Sequence, residues 1–258
     1  MFSTRLRLRK IDFSAEPDLR NIPERILDLR NALSEFDKLV IIGEPGTGKT
    51  TACRRATWEL AKEAYQNTLG LGAGIPVYME LKTLSSDGSD SRRTLWECVV
   101  ARLPLGTLPG EDIKESLRRF LSQYRLILFL DGLNEISPPS RKRKMIEEVF
   151  LLREQLGDSI HIIVTSRKHD FDVVQFVKRG AFQVLEIVEL SAKDIEKFAR
   201  CYLLDEESVV RFVNGLSRPL KAAARNPLML RLLLDDFKQN QSLIGSRARL
   251  LCSFCHRA

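Results

Sequence analysis

Five short apolar runs punctuate the chain: Leu39–Ile42, Pro76–Leu81, Leu126–Leu130, Ile160–Thr165 and Val184–Leu190. Largely apolar runs of this length suit strands buried on both faces. Between them lie stretches that read as helices: Lys49–Tyr65, Thr94–Leu103, Glu111–Leu121 and Arg141–Leu156. Alternating strands and helices predict an α/β fold with a parallel sheet covered on both sides. Most connections are long enough to hold the crossover helix that parallel pairing needs. The polar segment SSDGSDSRR at 85–93 reads as a surface loop.

After Leu190 the strand pattern stops. Ser191 is placed to cap a helix, and Asp194 three residues on completes a box-like start. Ile195, Phe198, Ala199, Tyr202 and Leu203 then share one helical face. Further helices are expected over Glu206–Leu216, Pro219–Arg225 and Leu228–Lys238, the last capped by Asn226 with Pro227 at its first turn. The expected organisation is a lead-in at 1–37, an α/β domain at 38–190, a helical domain at 191–242 and the opening of another domain at 243–258. That last stretch, QSLIGSRARLLCSFCHRA from 241, begins a helical pattern and breaks off, which predicts a fragment or one module of a larger design. The start is basic and strand-like. No internal repeat is present.

Residues 43–50 read GEPGTGKT and match the phosphate-loop pattern at Gly43, Gly48, Lys49 and Thr50. An apolar strand precedes it and a helix free of Gly and Pro follows, which is the context the chemistry needs. Backbone N–H groups of Gly46, Thr47, Gly48 and Lys49 can surround phosphate oxygens, with the positive end of the helix dipole behind them. The whole loop, Gly43, Glu44, Pro45, Gly46, Thr47, Gly48, Lys49, Thr50 and Thr51, is the expected nucleotide-binding segment. Lys49 would reach the β- and γ-phosphates, and Thr50 would place its hydroxyl on Mg²⁺.

LILFLDGLNE at 126–135 is the second element of such a site: an apolar strand ending in an acid. Asp131 stands where open α/β sheets bind ligands and can accept from a water on Mg²⁺. Glu135, four residues on, can orient or deprotonate an attacking water. The next strand ends Thr165-Ser166-Arg167, and Arg167 can sense or stabilise a terminal phosphate.

These segments together, with HIIVTSR, LSAKDIEKFARCYL and NPLMLRLLL, resemble a NACHT module of the STAND class of signal-transduction NTPases. The resemblance spans roughly residues 37–250, and Asp-Gly-x-x-Glu and the TSR strand end are its most specific parts. It implies a five-stranded sheet ordered 5-1-4-3-2, counting the five runs in sequence. It also implies Asp131 as the Mg²⁺-side acid, Glu135 as the acid of the extended motif and Arg167 as the sensor. Pro227 of NPLML matches a proline that packs on adenine. Many members have Asp where this chain has Asn134, which removes a negative charge and points to weak hydrolysis. Residues 243–258 resemble the opening of a winged-helix domain, and no histidine is assigned to the role one plays there.

Composition changes this little. The chain has 258 residues, 44% hydrophobic and 29% charged, an ordinary globular balance. No run approaches the length that spans a bilayer, and the start lacks the apolar core of a secretory signal. The net charge of +7 is dispersed, with clusters at Arg5–Lys10 and Arg141–Lys144, and does not by itself point to a nucleic acid. Five cysteines, Cys53, Cys98, Cys201, Cys252 and Cys255, read as reduced thiols. Cys252-Ser253-Phe254-Cys255-His256 matches the haem-attachment pattern by chance, since no export signal or haem pocket accompanies it.

The expected function is a cytoplasmic, nucleotide-dependent switch with slow Mg²⁺-dependent ATP hydrolysis. By resemblance, ADP holds it closed and ATP permits self-association in a longer homologue, with effector and sensor domains supplied elsewhere. Two alternatives stay open: an ordinary ATPase or small-molecule kinase, and a fragment without catalysis.

Overall fold

The computed structural model describes residues 7–11, 26–66, 74–86, 94–105, 112–171, 176–177, 181–203, 205–240 and 242–243. Cys252, Cys255, His256 and the expected winged-helix start lie outside them, as do the lead-in at 12–25 and most of the 85–93 loop.

The elements run in chain order as β1 (Arg7–Lys10), β2 (Ile26–Asp28), α1 (Leu29–Glu35), β3 (Lys38–Ile42), α2 (Lys49–Gln66), β4 (Gly74–Glu80), α3 (Leu81–Ser86), α4 (Leu95–Val100), α5 (Ile113–Gln123), β5 (Arg125–Asp131), α6 (Pro139–Leu156), β6 (Ile160–Ser166), β7 (Gln183–Ile187), α7 (Ala192–Leu203), α8 (Glu206–Gly215), α9 (Arg218–Ala224) and α10 (Pro227–Asn240). Backbone contacts divide them into two compact units. One comprises Leu8–Gly43 and Lys49–Glu186; the other comprises Met1–Arg7, Glu44–Gly48 and Ile187–Ala258.

The sheet has seven strands in the order β2-β1-β7-β3-β6-β5-β4. Its five later strands stand in the order the resemblance implied, and β3, β4, β5, β6 and β7 pair in parallel. β1 and β2 extend the sheet beyond β7. They are too short to carry a period, although Leu8, between the arginines of β1, is fully buried. β1 runs against its neighbour: Arg7 O accepts from Val188 N, and Ile11 N donates to Val184 O.

Both sheet faces are buried. Val40, Ile42, Leu126, Leu128, Leu130, Ile160, Ile162 and Val164 join one core with α4, α5 and α6. Leu39, Ile41, Ile127, Phe129, Ile163 and Leu185 are equally buried and alternate with that set, so they face the opposite side. Tyr78 and Glu80 of β4 meet α2 there. This two-sided burial is why the strands read as continuous apolar runs.

The predicted strands Pro76–Leu81 and Val184–Leu190 end earlier than expected. Leu81 begins α3, and β7 ends at Ile187, beyond which Leu190 N donates to Arg225 O. α4 is also shorter than expected, but its start is a full capping box between Thr94 and Glu97.

The helical unit has its own core, centred on Leu230, Leu233, Leu234, Phe212 and Ala199. α7 begins as expected: the Asp194 carboxylate accepts from Ser191 N and Oγ, and Asp194 N donates back to Ser191 Oγ. Arg7 pairs with the same carboxylate at 3.3 Å.

At the end of β7, Glu186 accepts from Arg9 of β1 at 2.7 Å and from Lys168, just after β6, at 2.6 Å. Burial alone would raise its pKa, but the bonds from Lys168 and Arg9 prevail and hold it below the ordinary value. A lowered folded pKa contributes stability above the unfolded carboxyl value, and that stability is lost as pH falls through the folded value. Both cations are substantially exposed, so the contribution is discounted for screening. Glu186→Gln is expected to cost about 1 kcal/mol in urea unfolding at pH 7. The gap from wild type should close below about pH 4. A gap independent of pH would mean the carboxylate charge is not what holds β1 here.

Candidate functional site

The site begins with register. β3 and β6 pair Ile42 with Ser166, and β6 pairs Val164 with Leu130 of β5. Parallel strands in this register bring Gly43, Asp131 and Arg167 to the same C-terminal edge, where open α/β sheets bind ligands. The sequence-predicted residues of the α/β unit, Lys49, Thr50, Asp131, Glu135 and Arg167, are therefore gathered by three adjacent strands and the helix that follows the first of them.

Two glycines give the loop its shape. Gly46 and Gly48 have φ of +77° and +93°, a region that only glycine enters at low cost. α2 then starts at Lys49, which places the N-terminal dipole of an 18-residue helix directly behind the loop. Lys49 Nζ donates to Gly43 O at 2.5 Å, so the ammonium rests on its own loop. Thr50 and Thr51 are exposed on the first turn. One amide departs from expectation: Thr47 N donates to Glu44 O, as does Thr47 Oγ1, closing a tight turn.

Asp131 is the buried charge of the site, only 6% exposed. Among the described residues no cation pairs with it. Its oxygens are met by hydroxyls: Thr165 Oγ1 donates to Oδ1 at 2.5 Å and Tyr78 Oη donates to Oδ2 at 2.9 Å. Thr165 Oγ1 in turn accepts from Gly132 N, which fixes the direction of its proton. Burial pushes the Tyr78 hydroxyl well above its ordinary pKa; Arg54 opposes this and Asp131 reinforces it, so Tyr78 remains a donor. Cys53 lies in the same field. Burial raises its thiol, the Asp131 charge adds to that, and Lys49 opposes, which leaves the thiol unreactive.

Each oxygen of Asp131 still has lone-pair capacity for a further donor. Asp131 and Thr50 could offer hard oxygen atoms to a metal, and Mg²⁺ commonly takes one or two of these with phosphates and water completing its shell. Among the described residues no cluster of three or more His, Cys, Asp or Glu forms a dedicated metal cage.

Glu135 stands at the end of a 3₁₀ turn over Leu133–Glu135 that Gly132, with φ of +83°, makes possible. It is exposed and pairs with Lys82 of α3 at 3.3 Å. Arg167 is exposed and has no acidic partner among the described residues. Its backbone N donates to Asn134 Oδ1 at 3.0 Å. Asn134 thus ties the residue after β6 to the acidic turn, a role the sequence did not disclose. Tyr78, Lys82 and Thr165 were also missed as site residues. Tyr78 and Thr165 lay within predicted strands and looked like core; only the pairing of β4, β5 and β6 brings them to Asp131.

In the helical unit, the crown of the loop, Glu44–Gly48, meets the start of α10. Asn226 Nδ2 donates to Pro45 O at 2.9 Å, and Leu228 N donates to Gly46 O at 3.2 Å. Asn226 Oδ1 meanwhile caps the helix by accepting from Leu228 N and Met229 N. Pro227, half-buried, sits between these two contacts.

The sheet order, the glycine loop and the buried strand-end acid define the class: this is an α/β P-loop NTPase fold. Residues 37–206 match the NACHT domain, well over half of the chain, and the chain belongs to the NACHT family; it is a nucleotide-binding NTPase module. Among solved structures it is similar to the Aeropyrum pernix Orc1 protein in complex with DNA, at 14% identity and a TM-score of 0.50, covering 97% of this chain and 70% of that chain. It is also similar to Cdc6p from Pyrobaculum aerophilum, at 16% identity and a TM-score of 0.47, covering 91% and 68%. C. elegans PCH-2 is a further neighbour, at 11% identity and a TM-score of 0.41, covering 83% and 64%. No curated protein matches the chain. No helix among the described residues is long and apolar enough to cross a membrane.

A Cβ at Gly46 would lie 2.8 Å from Leu228 Cβ and 2.9 Å from Asn226 Oδ1. Gly46→Ala combines that collision with a left-handed backbone, and is expected to cost about 1–2 kcal/mol. Amide hydrogen exchange at Leu228 should accelerate about tenfold, while the core of β5 keeps its protection. Unchanged exchange at Leu228 would contradict the crown contact.

Proposed function

We propose that this chain is an ATP- and ADP-binding switch module of the STAND class that hydrolyses ATP slowly with Mg²⁺. The observation that carries the reading is the bonding of the phosphate-loop crown to the start of α10. A nucleotide that seats phosphates in the loop must reorder the crown backbone, and Asn226 and Leu228 are bonded to that backbone. Gly43, Glu44, Pro45, Gly46, Thr47, Gly48, Lys49, Thr50 and Thr51 are the proposed phosphate-binding segment. Lys49 leaves Gly43 O for the β- and γ-phosphates. Pro227, flanked by the crown contacts, packs against the base.

Thr50 and Asp131 would hold Mg²⁺, which would supply charge neutralisation on the phosphates. Glu135 orients the attacking water, and Arg167 reads the terminal phosphate. Two features favour a slow reaction. Asn134 leaves the acidic turn one charge short, and Lys82 occupies Glu135. A switch also needs different contacts with ATP and ADP, and Arg167 is the group suited to distinguish them. Self-association in the ATP state of a longer chain and a cytoplasmic setting belong to this proposal.

The test is equilibrium binding of ATP and ADP. Lys49→Ala is expected to weaken both by at least about a hundredfold, since it removes a charge from a phosphate contact. Glu135→Gln is expected to retain affinity and slow hydrolysis by roughly a hundredfold or more, the usual contribution of a general base. Wild-type affinity in the Lys49 variant would remove the site assignment, and phosphate transfer to an added small acceptor would make the protein a kinase.

A further inference from the structure

On one face of the sheet a chain of side chains runs from α2 to the buried acid. Thr50 and Arg54 are four residues apart, so they share one face of α2. Arg54 Nε donates to Tyr78 Oη at 3.3 Å, and its guanidinium lies 5.5 Å from the centre of the Tyr78 ring. Arg54 also pairs with Glu80, two residues on along the same strand face. Tyr78 Oη then donates to Asp131 Oδ2. The register of β4 and β5 sets Glu80 opposite Asp131 and Tyr78 opposite Phe129. Tyr78 therefore reaches Asp131 diagonally across the strand pair, a distance that suits a long aromatic side chain.

Among the described residues Asp131 is otherwise oriented by a single hydroxyl, that of Thr165 on Oδ1. One bond leaves a carboxylate free to rotate about it; two bonds on different oxygens fix its plane. The second bond comes from a side chain that Arg54 anchors, and Arg54 belongs to the helix that presents Thr50.

We infer that Tyr78 is a positioning residue for divalent-metal binding, aligning the Asp131 carboxylate with the Thr50 hydroxyl through Arg54 of α2. The inference rests on the proposed reading of Asp131 and Thr50 as the Mg²⁺ side of a nucleotide site. Its own content is that Tyr78 and Arg54 act on the metal and not on the nucleotide. Tyr78 touches neither phosphate nor metal in this scheme; it sets the direction in which Asp131 offers its remaining lone pairs.

The experiment measures binding of a fluorescent ADP analogue to the full chain, in EDTA and across a Mg²⁺ titration. For Tyr78→Phe the affinity in EDTA is expected to match wild type, while the Mg²⁺ midpoint rises about tenfold, the scale of one hydrogen bond to a charged group. Arg54→Ala, at an exposed position, is expected to raise the midpoint about threefold, as an indirect contact should. Both variants should keep the wild-type melting temperature without ligand to within a few degrees. Unaltered Mg²⁺ midpoints in both, or an equal loss of affinity in EDTA, would overturn the inference. Wild-type protein that binds the analogue equally with and without Mg²⁺ would instead remove the metal reading beneath it. Wild-type protein that binds in neither condition would remove the nucleotide reading, and the inference with it.

Discussion

Everything in the α/β unit depends on parallel pairing in a fixed register. Because β3, β6 and β5 run the same way and pair level, their C-terminal ends open on one edge. An antiparallel partner at β6 would send Arg167 to the opposite edge from Gly43. Two-sided burial enforces the arrangement, since a slip of one residue would exchange the two apolar faces and move Thr165 away from Asp131. The hydrophobic effect thus fixes, through register, where the polar groups of the site meet.

The cost of that arrangement falls on Asp131. A carboxyl group this deeply buried needs hydrogen-bond compensation. Among the described residues the protein supplies it with two neutral hydroxyls. Each of these occupies one lone pair and leaves capacity on both oxygens for a further donor or ligand. Lys49, whose charge opposes that of Asp131 at the Cys53 thiol, donates to Gly43 O.

The phosphate loop is divided between the two units in sequence. Its glycine-shaped crown clusters with the helices, whereas Gly43 and Lys49 belong with the sheet. Asn226 both caps α10 and holds Pro45 O, so the helix start and the loop conformation are coupled through one side chain. Gly46 serves the contact by having no Cβ where Leu228 comes close.

Much of this was legible in the sequence because its signals are local. The apolar runs gave the five later strands, GEPGTGKT gave the loop, and Ser191 with Asp194 gave the start of α7, each from residues a few positions apart. β2, α1 and α3 escaped because three to seven residues cannot display a period. What tertiary structure alone decided was the partnership of distant residues. Tyr78 and Asp131 are separated by 53 positions, and Asn226 and Pro45 by 181. A tyrosine in a strand reads as core, and an asparagine before a proline reads as a cap, whatever else each touches. Sequence period determines which face a side chain occupies. Only strand order and register determine what stands beside it, because those follow from burying all the faces at once.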